Sequence, residues 1–231
     1  MDANDDDVVA LLWSQEGDRR TRPGPKPRLM LAQVVDRGIS IADADGLDAV
    51  TMQRLADRLE TTKMALYRYV PGRAGLHALM LDGALDAPPA DGGTDWRAVL
   101  TRWALELFEQ AAAHPWAIEL AQRNHVPGPR ELRWFESGLL ALDGLPLTAP
   151  EKLDVLALLS GHAMSLAQRA VSASAPEADM GRVLAPVLAV RGADYPQTVA
   201  AFSDTGAGRD TALTFGIDRL LDGIDALVAS R

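Results

Sequence analysis

The sequence predicts an all-α chain in which a small head built around a helix-turn-helix precedes a larger helical body. Three observations carry this. Apolar residues recur at three- and four-residue spacings along most of the 231 residues, the period of one helix face. Two short apolar-periodic segments meet at a tight join within residues Thr51 to Val70. No alternation of apolar and polar residues runs long enough to compete as a strand.

Met1 to Gly17 is an acidic leader with one apolar patch from Val8 to Trp13. It is expected as a loosely docked extension, the habit of termini, with a short helix led by Asp5, Asp6 and Asp7 as the alternative. Arg19, Arg20, Arg22, Lys26 and Arg28 follow, interleaved with Pro23, Pro25 and Pro27. Prolines keep such an arm extended, so its charges either track a phosphate backbone or enter a minor groove; a solvated linker is the plainer alternative. The first head helix is expected from about Arg28 to Asp43, with Leu31, Val34, Val35 and Ile39 on its buried stripe and Asp45-Gly46 ending it.

Thr51 suits an N-cap, because its hydroxyl can accept from an unpaired amide one turn on. Leu55, Ala56 and Leu59 then share one face, Thr61 or Thr62 caps the next segment, and Leu66 and Val70 point inward together. That leaves Lys63, Met64, Ala65, Arg68 and Tyr69 facing solvent or a major groove. A fourth helix follows Pro71-Gly72, from Arg73 to about Leu85, and Pro88, Pro89, Gly92 and Gly93 mark a break. The expected organisation is therefore a leader and arm at 1–25, a head at 26–86 and a body at 94–231.

In the body, Asp95 caps a helix that runs to His114-Pro115. A short helix spans Trp116 to Gln122, and another Glu131 to Leu142. Thr148-Ala149-Pro150-Glu151 carries the cap, early proline and acidic first turn of a long helix start, and that helix continues to about Ser174. A last helix from Asp210 to about Ala229 spaces Leu213, Ile217, Leu220, Ile224 and Leu227 by four, three, four and three. No element is assigned between Ser174 and Asp210.

Composition narrows the function classes. Zero cysteines exclude a disulfide framework and thiolate metal sites. The start MDANDDD lacks a basic leader ahead of an apolar stretch, and no apolar run is long enough to span a bilayer, so a cytoplasmic protein is expected. The net charge of −9 is unevenly placed: residues 17–76 hold 11 Lys and Arg against 7 Asp and Glu, the remainder 12 against 25. Cations are needed only where phosphates lie, so a basic head on an acidic body suits DNA. No phosphate-binding glycine loop, GxSxG elbow or HExxH is present, which argues against an enzyme and against a cofactor or metal.

Residues Thr51 to Arg73, above all the string MALYRYV at 64–70, resemble the tetracycline-repressor-like (TetR) regulators, as does the preceding run IADADGLDAVT. The segments HPWAIELA, PRELRWFESGLLAL and FGIDRLLDGIDALV resemble the ligand-binding domain of the tetracycline-repressor branch. The chain departs from the pattern at Glu60-Thr61-Thr62, where Gly-Val-Ser is common, so Glu60 is expected to carry backbone strain. Tyr69 replaces a common histidine and Arg73 a common lysine.

The resemblance implies a ligand-responsive repressor that binds a palindromic operator as a homodimer. Lys63, Met64 and Ala65, with Gln53, are then the readers of base edges. Thr51, Thr62, Tyr67, Arg68, Tyr69 and Arg73 are the candidate phosphate contacts, joined by Arg22, Lys26 and Arg28 of the arm. The last two long helices imply a dimer interface, with Ala157, Ser160, Leu213, Ile217, Leu220 and Ile224 as its members; the same pattern also fits core within one chain. Trp103, Leu107, Phe108, Trp116, Trp134, Phe135, His162, Met164 and Gln168 are the candidate ligand contacts, His162 foremost among the polar ones. An acidic helical adaptor with a degenerate head is the rival function.

Overall fold

In the computed structural model, residues 3–17, 30–89, 95–172, 176–203 and 212–231 are described, and among these every regular element is helical. The head comprises α1 (Ala3–Gly17), α2 (Leu31–Asp45), α3 (Met52–Arg58), α4 (Lys63–Tyr67) and α5 (Arg73–Gly83). The body adds α6 (Trp96–Ala113), α7 (Pro115–Ala121), α8 (Pro129–Ala141), α9 (Ala149–Ser172), α10 (Pro176–Arg191), α11 (Pro196–Ser203) and α12 (Ala212–Ala229).

The leader departs from its first expectation. It forms α1, and Val8 and Leu12 are buried in the head core. Two apolar residues four apart, backed by Leu11, give the leader a stripe to dock on α5. Arg22, Lys26 and Arg28 lie outside the described residues.

Around Leu55, Leu66, Val70, Leu76 and Met80, all essentially inaccessible, α2 to α5 close a compact core. Gly38 makes the approach of α2 to α5 possible, because a Cβ there would lie 2.9 Å from Met80 Sδ. The body core gathers Leu100, Trp103, Leu142, Leu156, Leu159, Ile217 and Leu221 from α6, α9, α12 and the end of α8. The long helix begins where its cap residues put it: Thr148 donates from both its amide and hydroxyl to Glu151 Oε2, at 2.8 Å each. Arg231 and Thr148 together hold the Glu151 carboxyl down to about 2.

Head and body are not separate globules. Trp116 and Leu120 of α7 are buried in the head core. Helices α10 and α11 carry no assignment from sequence, because Pro186 lies inside α10 and reads as a breaker. Met180, Val183, Val187 and Val190 stand exposed along α10.

Candidate DNA interface and ligand pocket

The two helices of the helix-turn-helix start on threonine caps. Thr51 Oγ1 accepts from the Arg54 amide at 3.1 Å, and Thr62 Oγ1 from the Ala65 amide at 3.2 Å. Of the two candidate caps for α4, Thr62 takes the role. Between the helices Glu60 has φ of +50°, the one non-glycine residue at positive φ among those described. Such a conformation costs an L-residue roughly 1–2 kcal/mol, so the strain expected at the missing glycine is present.

Thr51, Gln53, Thr62, Lys63, Met64, Tyr67, Arg68 and Arg73 are exposed, Met64 at 76%. Leu66, at 0%, seats α4 on the core. Two expected outward residues are less open. Ala65 is half-buried, and Tyr69 packs its ring partly against the head core, leaving less of it to face a phosphate. Gln53 Nε2 donates to Asp57 Oδ1 at 2.8 Å, and Arg73 reaches both His77 Nε2 at 3.3 Å and Asp48 Oδ1 at 3.5 Å. These partners hold the two side chains on the surface without covering them.

In the body, a cavity of about 120 Å³ opens between α5, α6, α7, α8 and α9. Five of the candidate ligand contacts, Trp103, Leu107, Trp134, Phe135 and Met164, line it. The indoles of Trp103 and Trp134 meet edge to face with centroids 5.7 Å apart. Leu81, Ala84 and Leu85 at the end of α5 form the wall toward the head.

The remaining candidates belong elsewhere. Trp116 is buried in the head core, where its Nε1 donates to Asp43 Oδ1 at 2.6 Å. Phe108, one step round the helix from Leu107, packs with Ala112 beside Ile118 and Ala167. His162 turns toward α12, with Nε2 3.2 Å from the Leu213 carbonyl oxygen. Gln168 is exposed near the end of α9. The interface set is corrected in the same way: Ile217 and Ile224 are core of the single chain, and Ser160 lines the cavity. Leu213 and Leu220 are half-buried against that core, and Ala157 remains exposed.

The polar lining is Gln110, His114, Glu131 and Ser160, and sequence reasoning missed Gln110, Glu131 and Ser160 as members of it. A signal existed for Gln110, since it lies seven residues from Trp103 and three from Leu107, on the same helix face. His125 Nε2 binds Glu131 Oε2 at 3.0 Å, and that hydrogen bond raises the imidazole above its usual range. His77 moves the other way, lowered first by burial and then by the neighbouring Arg73 and Arg123 cations.

Behind this lining, α5 and α8 cap each other. Asp82 Oδ1 accepts from the amides of Arg130 at 2.8 Å and Glu131 at 3.3 Å, two first-turn donors with no partner inside α8. Arg130 Nη1 donates back to the carbonyls of Gly83 at 3.0 Å and Leu85 at 2.9 Å. Gly128 leaves room for this exchange, as a Cβ there would lie 2.2 Å from Asp82 Oδ1. Burial raises the Asp82 carboxyl, and the two amides counteract that.

An outward-facing recognition helix joined to a cavity-bearing helical body defines a DNA-binding regulator with a small-molecule domain. Known proteins agree. Residues 88–228 match the family described as the tetracyclin repressor-like C-terminal domain. The chain is 35% identical over 237 residues to the HTH-type transcriptional repressor DrrR1 of Streptomyces coeruleorubidus, covering 97% of this chain and 87% of that protein. It therefore belongs to the TetR family of transcriptional regulators. A TetR regulator structure from Streptomyces coelicolor superimposes with a TM-score of 0.67 at 26% identity, over 86% of this chain and 99% of that one. The Streptomyces coelicolor TetR family protein ActR, solved in complex with actinorhodin, shares the fold with a TM-score of 0.73 at 22% identity, over 89% and 99%.

Proposed function

We propose that the chain is an effector-released repressor that reads a palindromic duplex as a homodimer. The observation that carries this is the placement of the cavity. Its head-side wall is the end of α5, the helix that continues directly from the recognition segment. A molecule that parts those walls moves the head. The cavity is small beside the roughly 300–1,000 Å³ typical of ligand sites, so filling it requires the walls to shift. Differential affinity for the two arrangements is what turns such a shift into release.

On this reading Lys63, Met64, Ala65 and Gln53 approach base edges, while Thr51, Thr62, Tyr67, Arg68 and Arg73 approach phosphates, with Tyr69 at the margin. The effector is an aromatic, mostly apolar molecule, in keeping with the two indoles and Phe135 on the wall. ActR, which shares the fold, was solved in complex with a small molecule, actinorhodin. The dimer face is the outer side of α9 and α12, where Leu153, Leu158, Phe215 and Leu227 are exposed beside Gly161 and Gly223. Leu158, Leu220, Gly223 and Leu227 line one groove between the two helices, an apolar face that admits a second pair of helices. With DNA as its partner the protein works in the cytoplasm; among the described residues no helix is long and apolar enough to cross a membrane.

The test is selection of duplexes from a random pool by the full-length protein, followed by fluorescence anisotropy at two salt concentrations. The expected result is a palindromic consensus bound in a salt-sensitive manner. Absence of binding to any duplex at low salt sinks the reading in favour of the acidic adaptor.

A further inference from the structure

The polar side chains around the cavity are already engaged, and two of them are engaged with the head. Trp103 Nε1 donates to the Trp134 carbonyl at 3.0 Å, Ser160 Oγ to the Ala157 carbonyl at 3.3 Å, and Glu131 holds His125. Those bonds stay inside the body. Gln110 Oε1 instead accepts from the backbone amide of Asp86 at 2.9 Å, just beyond α5. His114 Nδ1 lies 2.8 Å from Asp43 Oδ1 at the end of α2. A carboxylate only accepts, so the imidazole donates. Gln110 and His114 are four residues apart on α6 and its C-cap, hence neighbours on one helix face.

We propose that Gln110 and His114 are shared between effector and head: a molecule entering the cavity takes the hydrogen bonds that otherwise anchor Asp86 and Asp43. This rests on the reading of the chain as an effector-released regulator, and it specifies how that site is regulated. Gln110 offers an acceptor and His114 a donor, so the effector carries a donor and an acceptor close together, as in a phenol beside a carbonyl.

The release is partial by construction. Asp43 keeps its bond from Trp116 Nε1, and the Asp86 carbonyl keeps the 2.8 Å bond from Trp134 Nε1. The exchange of caps between Asp82 and Arg130 involves neither shared residue. It remains as the pivot about which the head swings once its two anchors loosen. A bare apolar ligand offers Gln110 no donor and His114 no acceptor, so it would fill the cavity and leave both anchors in place.

The experiment compares full-length wild type with Gln110→Leu and His114→Phe, using hydrogen-exchange mass spectrometry and anisotropy on the selected duplex. The probe is actinorhodin, whose binding is followed by quenching of tryptophan fluorescence. In the absence of probe, Gln110→Leu speeds exchange at 84–88 and His114→Phe at 43–47, and each weakens duplex binding about fivefold. The conservative variants Gln110→Glu and His114→Asn keep an acceptor and a donor at similar reach, and restore protection and affinity. In wild type, probe binding loosens the same two segments.

Unchanged exchange in both segments for Gln110→Leu and His114→Phe overturns the proposal, as does probe binding that leaves both segments protected. A wild type that binds no duplex at all removes the regulator reading instead. The exchange patterns of the variants then still decide whether the two anchors exist.

Discussion

The head and the cavity use their polar side chains in opposite ways. On the recognition face, Thr62, Lys63, Tyr67 and Arg68 are exposed and seated by one fully buried neighbour, Leu66. Around the cavity, Gln110, His114, Glu131, Ser160 and both indoles already hold partners inside the protein. On the proposed function, a surface that meets phosphates and base edges gains by leaving its donors in water until the duplex arrives. On the same proposal, a site that transmits a signal gains by making entry of a ligand compete with an internal bond. Substitutions on the first surface should therefore act locally, and those around the second at a distance.

The sharpest break of that contrast lies within α4 itself. Leu66→Ala empties a fully buried position and should cost about 2–5 kcal/mol, a large share of the roughly 5–15 kcal/mol that stabilises a domain. DNA binding should vanish with it. Met64→Ala, three-quarters exposed at 76%, should leave the melting temperature within about a degree and change only duplex affinity, since surface substitutions stay within roughly 0.5 kcal/mol. Thermal unfolding beside anisotropy checks both. Equal destabilisation by the two variants would show that α4 is not held by its buried leucine.

Next in size are the proposed direct contacts. Lys63→Ala is expected to weaken the selected duplex about tenfold, the scale of one good base contact, while non-specific binding changes less. Arg68→Ala should weaken both kinds alike and lower the slope of log affinity against log salt by about one. If Lys63→Ala lowers both equally, it leaves the base-reading set and joins Arg68 on the phosphates.

Smaller effects separate strain and packing from recognition. Glu60→Gly relieves the positive φ and should stabilise the protein by about 1 kcal/mol, the left-handed penalty less the extra chain entropy of glycine. A lower melting temperature for that variant would mean Glu60 holds the turn through something other than its backbone. His162→Ala removes the contact with the Leu213 carbonyl between α9 and α12. It should cost about 1 kcal/mol and leave probe affinity unchanged, and a lost probe response would return His162 to the pocket.

What the sequence made legible follows from where the physics is local. Caps act within one turn: Thr51 and Thr62 each accept an amide at a helix start, and at the third start Glu151 accepts from the Thr148 amide and hydroxyl. Strain at Glu60 is likewise a property of one residue and its backbone. The cavity depends on which helix faces which, and periodicity alone does not state that. Trp116 looks like any aromatic in a helical body, yet it is buried in the head core, where Asp43, 73 residues earlier, accepts its N–H. Ile217 and Ile224 carry the spacing of an interface, and the same spacing builds a core within one chain. The leader, expected to be loose as termini usually are, docks because Val8 and Leu12, one turn apart, are buried against α5.

The smallest expected effect concerns pH, and here two histidines near one seam should act against each other. His125 is raised by its hydrogen bond to Glu131, so its stabilisation is complete below the unfolded value near 6.5 and fades as pH rises through the folded value. His77 is lowered, chiefly by burial with Arg73 and Arg123 adding to it. Below pH 6.5 the unfolded chain takes up a proton there that the folded chain refuses, so stability falls as pH drops toward the folded value. Both side chains are partly exposed, which screens each contribution. Mild acidification should therefore change the melting temperature little in wild type. His77→Phe should then gain stability below pH 6.5 relative to wild type, whereas His125→Phe should lose it. Imidazole proton shifts followed by NMR provide the direct check, with His125 titrating above 6.5 and His77 below. Two coincident midpoints would show that the seam between α5 and α8 is more open to water than its hydrogen bonds imply.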